Sequence, residues 1–177
     1  ETSMSVPVID IAPYFTGDLA ARKAVARQIG DACEKIGFFS IVGHSVPTEL
    51  VDRAFETAAG FFDQPQATKD RWKPADSAAA RGYHKLGTKN LAKTLGYDNP
   101  PDLREQFYIG PMEDWSACFH RYPGAEFLYS ANVWPDTPKD YRPVFTDYYR
   151  ELEKLAQDLM RLFALALDAD ETFFDDK

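Results

Sequence analysis

Three short runs constrain this chain more than anything else in it. "VPVIDI" at 6–11, "FFSIV" at 38–42 and "EQFYIG" at 105–110 are β-branched or aromatic and bounded by proline or glycine, which is the pattern of strands. Helices and long loops separate them, and three such strands do not make a self-sufficient sheet. Each leaves backbone N–H and C=O groups along its edges that something must cover. The pattern predicts an α+β chain whose strands find partners in further polypeptide. Residues 4–177 are therefore expected to be the first part of a longer protein, with Glu1–Ser3 ahead of Met4 a remnant of cloning.

The helical segments are clearer. Leu19, Val25, Ile29, Ala32, Cys33 and Ile36 recur at helical spacing between Asp18 and Ile36, and Gly37 follows where a helix-ending residue is expected. Pro47 opens a second helix, with a buried face expected at Leu50, Val51, Ala54, Phe55, Ala58, Phe61 and Phe62. Pro65 ends it, and "PQATKDRW" reads as a short helical turn. From about Lys139 to Leu167 runs the longest stripe: Tyr141, Val144, Phe145, Tyr148, Leu152, Leu155, Leu159, Leu162 and Ala166. Its far face carries Glu151, Lys154 and Asp158, with Lys154 and Asp158 spaced to pair. Residues 74–103 and 111–138 are rich in glycine or proline and lack periodicity. Connections of that length inside a compact domain usually carry function or move.

Composition excludes several classes. The chain is 45% hydrophobic and 14% aromatic, too rich in core-formers for disorder. A net charge of −8 gives no basic face for nucleic acid or an anionic membrane. Lysines and arginines do gather at 69–93, among them Lys69, Arg71, Lys73, Arg81, Lys85, Lys89 and Lys93; these could attract a small anionic substrate, but a solvated loop suits them better. The two cysteines, Cys33 and Cys118, are too few for a disulfide framework, and Cys33 is expected to be a small buried hydrophobe. No run has the length or apolarity of a membrane span or a signal peptide, so a cytoplasmic location is expected.

A search for chemistry ends mostly in exclusions. The histidines are His44, His84 and His120. Non-haem iron is commonly held by two histidines and a carboxylate on one face, and a histidine with a carboxylate two residues on places both on one side of a strand. Here those positions hold Val46, Leu86 and Tyr122, and two residues earlier stand Val42, Gly82 and Cys118. Cys118 and His120 have no second pair to complete a zinc site. No nucleophile elbow, thiol-enzyme signature, dinucleotide fingerprint or P-loop is present. Glu113–Asp114 and Asp175–Asp176 read as solvated charges. No catalytic residue and no metal ligand is assigned to this chain.

In order, "VPVIDI", "ACEKIGFFSIVGHSVP", "FFDQPQATKDRW", "RGYH", "LREQFYIG" and "NVWPDTPKDYRPVFTDYYRELEKLAQDLMRLFALAL" resemble the N-terminal region of the isopenicillin N synthase-like family. These are iron(II)- and usually 2-oxoglutarate-dependent oxygenases, and the resemblance runs from residue 6 to about 174. It implies N-terminal helices and edge strands of a distorted double-stranded β-helix, or jelly roll, with most of that core in the remainder of the protein. It also implies Fe(II) and 2-oxoglutarate as cofactors, both bound downstream through a His-x-Asp…His triad and an Arg-x-Ser. The partners implied are a small-molecule substrate, molecular oxygen and the C-terminal jelly-roll core, with no nucleic acid and no membrane. The complete enzyme would hydroxylate, desaturate or cyclise its substrate, while these 177 residues alone would be inactive.

By the same resemblance, "RGYH" and "EQFYIG" run near the mouth of the active site. Arg81 could pair with a substrate carboxylate as a two-pronged fork, or make an ordinary salt bridge. Tyr83, His84 and Phe107 could line its wall, although core packing suits Tyr83 and Phe107 better. His44, Asn132 and Trp134 read as architecture. His44 would tie loop backbone in a strand-to-helix turn, Asn132 would satisfy loop backbone groups, and Trp134 would wedge the loop against the core. Two other readings stay open: a non-catalytic interaction domain built on the N-terminal fold alone, and half of an assembly whose core another chain supplies.

Overall fold

In the computed structural model, which describes residues 5–74, 80–87, 96, 100, 102–113, 122–125 and 129–176, the first two strands find each other. β1 (Val8–Asp10) and β2 (Ser40–Val42) run parallel, with Val8 opposite Ser40, Ile9 opposite Ile41 and Asp10 opposite Val42. Parallel pairing needs a crossover, and α2 (Leu19–Lys35) supplies it. Two further bonds lengthen the ladder, from the Ser40 N–H to the Pro7 carbonyl and from the Ile11 N–H to the Val42 carbonyl, each 2.9 Å. Alternation buries Ile9 and Ile11 on one side. On the other, Val8 and Val42 stand 65% and 47% exposed.

The helices follow local chemistry. α1 (Ala12–Thr16) was not anticipated, because Pro13 reads as punctuation. Instead Pro13 occupies the first turn, where no N–H is required, and the Asp10 carboxylate accepts the Ala12 N–H at 2.9 Å. Asp18 caps α2 by accepting the Ala21 N–H at 2.9 Å. Gly37, at φ +83°, ends the segment and donates its N–H to the Ala32 carbonyl. α2 buries Val25, Ala26, Ile29 and Ala32. Cys33 is exposed, correcting its assignment to the core, since the buried stripe passes through Ala32 one position away.

The chain divides into two compact units, one made of Glu1–Thr48 and Arg150–Lys177, the other of Glu49–Tyr149. In the first, two arginines hold the C-terminal turn. Arg22 reaches both Glu171 carboxylate oxygens at 3.2 and 3.3 Å, and Arg161 forks onto Asp175 at 3.0 and 2.9 Å. Tyr14 donates to Glu171 at 3.0 Å. Its burial and that carboxylate push its hydroxyl pKa up to about 12.

The second unit contains α3 (Thr48–Phe62) from Glu49 onward, α4 (Gln66–Lys69), a 3₁₀ turn at Asp70–Trp72, and strands β3 (Gly82–His84) and β4 (Gln106–Tyr108). β3 and β4 pair antiparallel, with Gly82 opposite Tyr108, Tyr83 opposite Phe107 and His84 opposite Gln106. β3 falls in a stretch that looked irregular, because three residues are too few to show alternation. Phe61, Tyr83 and Tyr141 form the buried centre, with Phe62, Trp72, Phe107 and Phe145 packed round it. The rings meet edge-on or tilted, Phe61 to Phe107 at 5.0 Å and Phe61 to Tyr141 at 5.5 Å, as ring quadrupoles prefer.

α5 (Tyr141–Ala166), 26 residues long, gives Tyr141–Tyr149 to the second unit and the rest to the first. Tyr141, Val144, Leu155 and Leu162 are buried as the stripe predicts, but Leu152 is 39% exposed. Lys154 pairs with Glu151 at 2.6 Å, one turn towards the N-terminus, instead of with Asp158. The Asp158 carboxyl is partly buried and pushed upward by that burial, against the pull of Arg161. Among the described residues no helix is long and apolar enough to cross a membrane.

α3 allows a direct test of facing. Its buried residues are Ala54, Thr57 and Phe61, while Phe55, expected inside, is 73% exposed. Phe61→Ala should cost about 3–5 kcal/mol in urea unfolding, and Phe55→Ala should stay within about 0.5 kcal/mol of the parent.

Candidate functional site

The candidate residues Arg81, Tyr83, His84 and Phe107 converge on the β3–β4 ribbon. Strand alternation turns Tyr83 and Phe107, which face each other across the ladder, to one side. That side is the core. Tyr83 is fully buried against Phe61 at 5.8 Å, and Phe107 touches Phe61 and Tyr141. His84 and Tyr108 occupy the opposite side, their rings edge to face at 5.2 Å. His84 is 7% exposed and Tyr108 is 38% exposed. The Tyr108 hydroxyl is held by the Gln106 side-chain oxygen.

Arg81 is half-buried, one residue ahead of β3. Its guanidinium lies so close over Gly110, two residues beyond β4, that a Cβ at Gly110 would overlap it. The same glycine is held from its other groups by Asn132. The Asn132 side-chain oxygen accepts the Gly110 N–H at 2.8 Å, and its amide nitrogen donates to the Gly110 and Pro111 carbonyls at 3.1 and 2.9 Å. Gly110 is thus a fixed platform with Arg81 on one side and Asn132 on another. Trp134 packs against the second unit's core, and the Arg142 guanidinium lies 5.6 Å from its ring centre.

His44 is in the first unit, after Gly43, which has φ +68°. A side chain at Gly43 would strike the Asp10 carboxylate and Ala12. Among the described residues the buried His44 Nδ1 has no hydrogen-bond partner, so tying of loop backbone through that atom is not seen. The first unit also has an open groove of about 280 Å³ between β1 and α2, lined by Val8, Ile9, Gln28, Asp31 and Lys35 among others. None of the candidate residues lines it.

Sequence reasoning missed the ribbon's polar support. Lys69, read as a solvated lysine, is 7% exposed. Its ammonium donates to the Phe62 carbonyl at 2.9 Å and to both Glu105 oxygens at 3.1 and 2.9 Å. The Tyr83 hydroxyl donates to the same carboxylate and lies 3.2 Å from the Gln66 amide nitrogen, which in turn donates to Asp70 at 2.7 Å. Burial pushes Glu105 upward, but the bonds from Tyr83 and Lys69 outweigh it, holding the carboxyl below its ordinary value of 4.5. Burial, and then that carboxylate, raise the Tyr83 hydroxyl pKa to about 12. Lys69 and Glu105 are 36 residues apart, and no periodic pattern connects them.

Among the described residues no group of three or more His, Cys, Asp or Glu side chains could hold a metal ion. Cys118, His120, Lys89, Lys93 and Asp114 lie outside the described residues.

Against known proteins, residues 6–137 match the family model described as non-haem dioxygenase in morphine synthesis N-terminal. A 2-oxoglutarate-Fe(II) type oxidoreductase, hxnY, of Emericella nidulans is 33% identical over 172 residues, which are 96% of this chain and 48% of that protein. The isopenicillin N synthase of Streptomyces clavuligerus is 34% identical over 179 residues, covering 98% and 50%. The chain spans about half the length of the curated relatives it matches. Among solved structures, a full-length Neurospora crassa protein in complex with alpha-KG superposes with a TM-score of 0.78 at 22% identity, over 99% of this chain and 51% of that one. A rice dioxygenase for auxin oxidation gives 0.60 at 22%, over 93% and 46%. At such identity the superpositions speak for the fold.

Two measurements check the site's support. The Glu105 carboxyl is lower in the folded chain than unfolded, so its contribution is complete above pH 4.5 and is lost as pH falls through the folded value. The excess melting temperature of the parent over Glu105→Gln should therefore be largest near neutrality and shrink below pH 4.5. Asn132→Ala strands three backbone groups at Gly110 and Pro111 and should cost about 1–3 kcal/mol by denaturant unfolding.

Proposed function

From the premise that this chain belongs to the family of non-haem dioxygenase N-terminal regions, we propose that it is the N-terminal part of an iron(II)- and 2-oxoglutarate-dependent oxygenase acting on a small molecule. The match over residues 6–137, in a chain that covers about half of relatives named as such oxidoreductases, carries this reading. Residues 4–177 would be its N-terminal region. The jelly-roll core would cover the open face of the β1–β2 pair, where Val8 and Val42 are left exposed. A free, exposed Cys33 suits a reducing compartment, so the protein would work in the cytoplasm.

By the family likeness, the metal and 2-oxoglutarate would be bound by the rest of the protein. When bound there, they would supply the oxidation of the substrate by molecular oxygen. This chain's part would be recognition. Arg81, fixed over Gly110, would pair with a negatively charged group of the substrate, and His84 would line the same wall. Tyr83 and Phe107 would support that wall from the core side, Asn132 and Trp134 would hold the turns beside it, and His44 would belong to the turn that leads into α3.

The complete protein, supplied with Fe(II), 2-oxoglutarate and oxygen, should release succinate in step with oxidation of a small-molecule substrate. Absence of any 2-oxoglutarate turnover, or a coding sequence that stops after Lys177, would overturn the reading. Arg81→Ala should raise KM for the small-molecule substrate about tenfold or more while leaving KM for 2-oxoglutarate within about twofold. An unchanged KM for the small molecule would make Arg81 purely structural.

A further inference from the structure

The β3–β4 ribbon has three residue pairs, and a two-stranded ribbon is marginal without outside support. One attachment is apolar, through Tyr83 and Phe107 on Phe61 and Tyr141. The second is the ion pair of buried Lys69 with Glu105, whose side chain is 28% exposed. Glu105 directly precedes β4, and Lys69 closes α4 while binding the last carbonyl of α3.

We propose that the Lys69–Glu105 pair is a charge latch, which sets how often the β3–β4 ribbon opens away from α3 and α4 while the remaining structure stays folded. Closed, the ammonium gives three bonds, one to Phe62 and two to Glu105, and the carboxylate also takes the Tyr83 hydroxyl. Opening returns both charges to water. Without Glu105 the buried ammonium keeps only the Phe62 carbonyl, and without Lys69 the part-buried carboxylate keeps only the Tyr83 hydroxyl, in the closed form alone, which tips the balance towards opening.

The neighbouring charges are engaged elsewhere. Asp70 pairs with Lys73 at 2.9 Å and feels Lys85, and Arg104 lies 3.6 Å from Asp102. Lys69, with 8% of its side chain exposed, is the deepest of these groups. This inference needs only the fold, and it stands or falls apart from the oxygenase reading.

Native-state amide exchange on the complete protein at neutral pH tests it. In Glu105→Gln and in Lys69→Met, amides of residues 82–84 and 106–108 should exchange about a hundredfold faster, with those of α2 and α5 unchanged. The double variant should be no faster than the worse single, because the two act through one contact. Unaltered ribbon exchange, acceleration of all helices in parallel, or single effects that multiply in the double variant would each overturn the latch. Tyr83→Phe keeps both charges and removes one hydroxyl, and it serves if the charge variants do not fold. About tenfold faster ribbon exchange with unchanged helices supports the latch, and no change overturns it.

Discussion

An ammonium that is almost wholly buried must be matched, and the second unit is arranged to match Lys69. Leaving that charge unpaired would cost several times a typical hydrogen bond. The α3 terminus, the residue before β4 and the β3 tyrosine therefore all meet at one point. The arrangement gives the ribbon a fixed place on the core despite its short ladder. It also ties Tyr83, a candidate for substrate contact, to a supporting duty that uses its hydroxyl.

The ribbon's two faces divide the labour. Tyr83 and Phe107 belong to the aromatic core, so substitutions there would be felt first as lost packing. His84 and Tyr108 lie on the other face, and Arg81 reaches past the end of β4 to Gly110. That glycine is held by three bonds from Asn132. Asn132 stands in the turn read as architectural, and through Gly110 it fixes the platform on which the Arg81 guanidinium rests.

In the first unit a parallel pair of strands is covered on one side only. α2 follows from the need for a crossover and from its own apolar stripe. Of the three runs that looked orphaned in the sequence, two pair with each other here and leave Val8 and Val42 exposed, while the third pairs with β3 in the second unit.

The sequence by itself determined the long elements. Helical spacing, Asp18 at one end of α2, Gly37 at the other and the stripe of α5 are local signals, each read within one or two turns. It also determined the family, because six short segments in a fixed order carry information that no single one does. Only the tertiary structure decided which residues of those patterns lie inside. Phe55 turned out and Thr57 in, because a helix face is chosen by what packs on it. The same holds for Cys33 beside Ala32. β3, three residues long, had no period to display. The Lys69–Glu105 contact joins residues far apart in the chain, and its energy comes from burial, which no local spacing records.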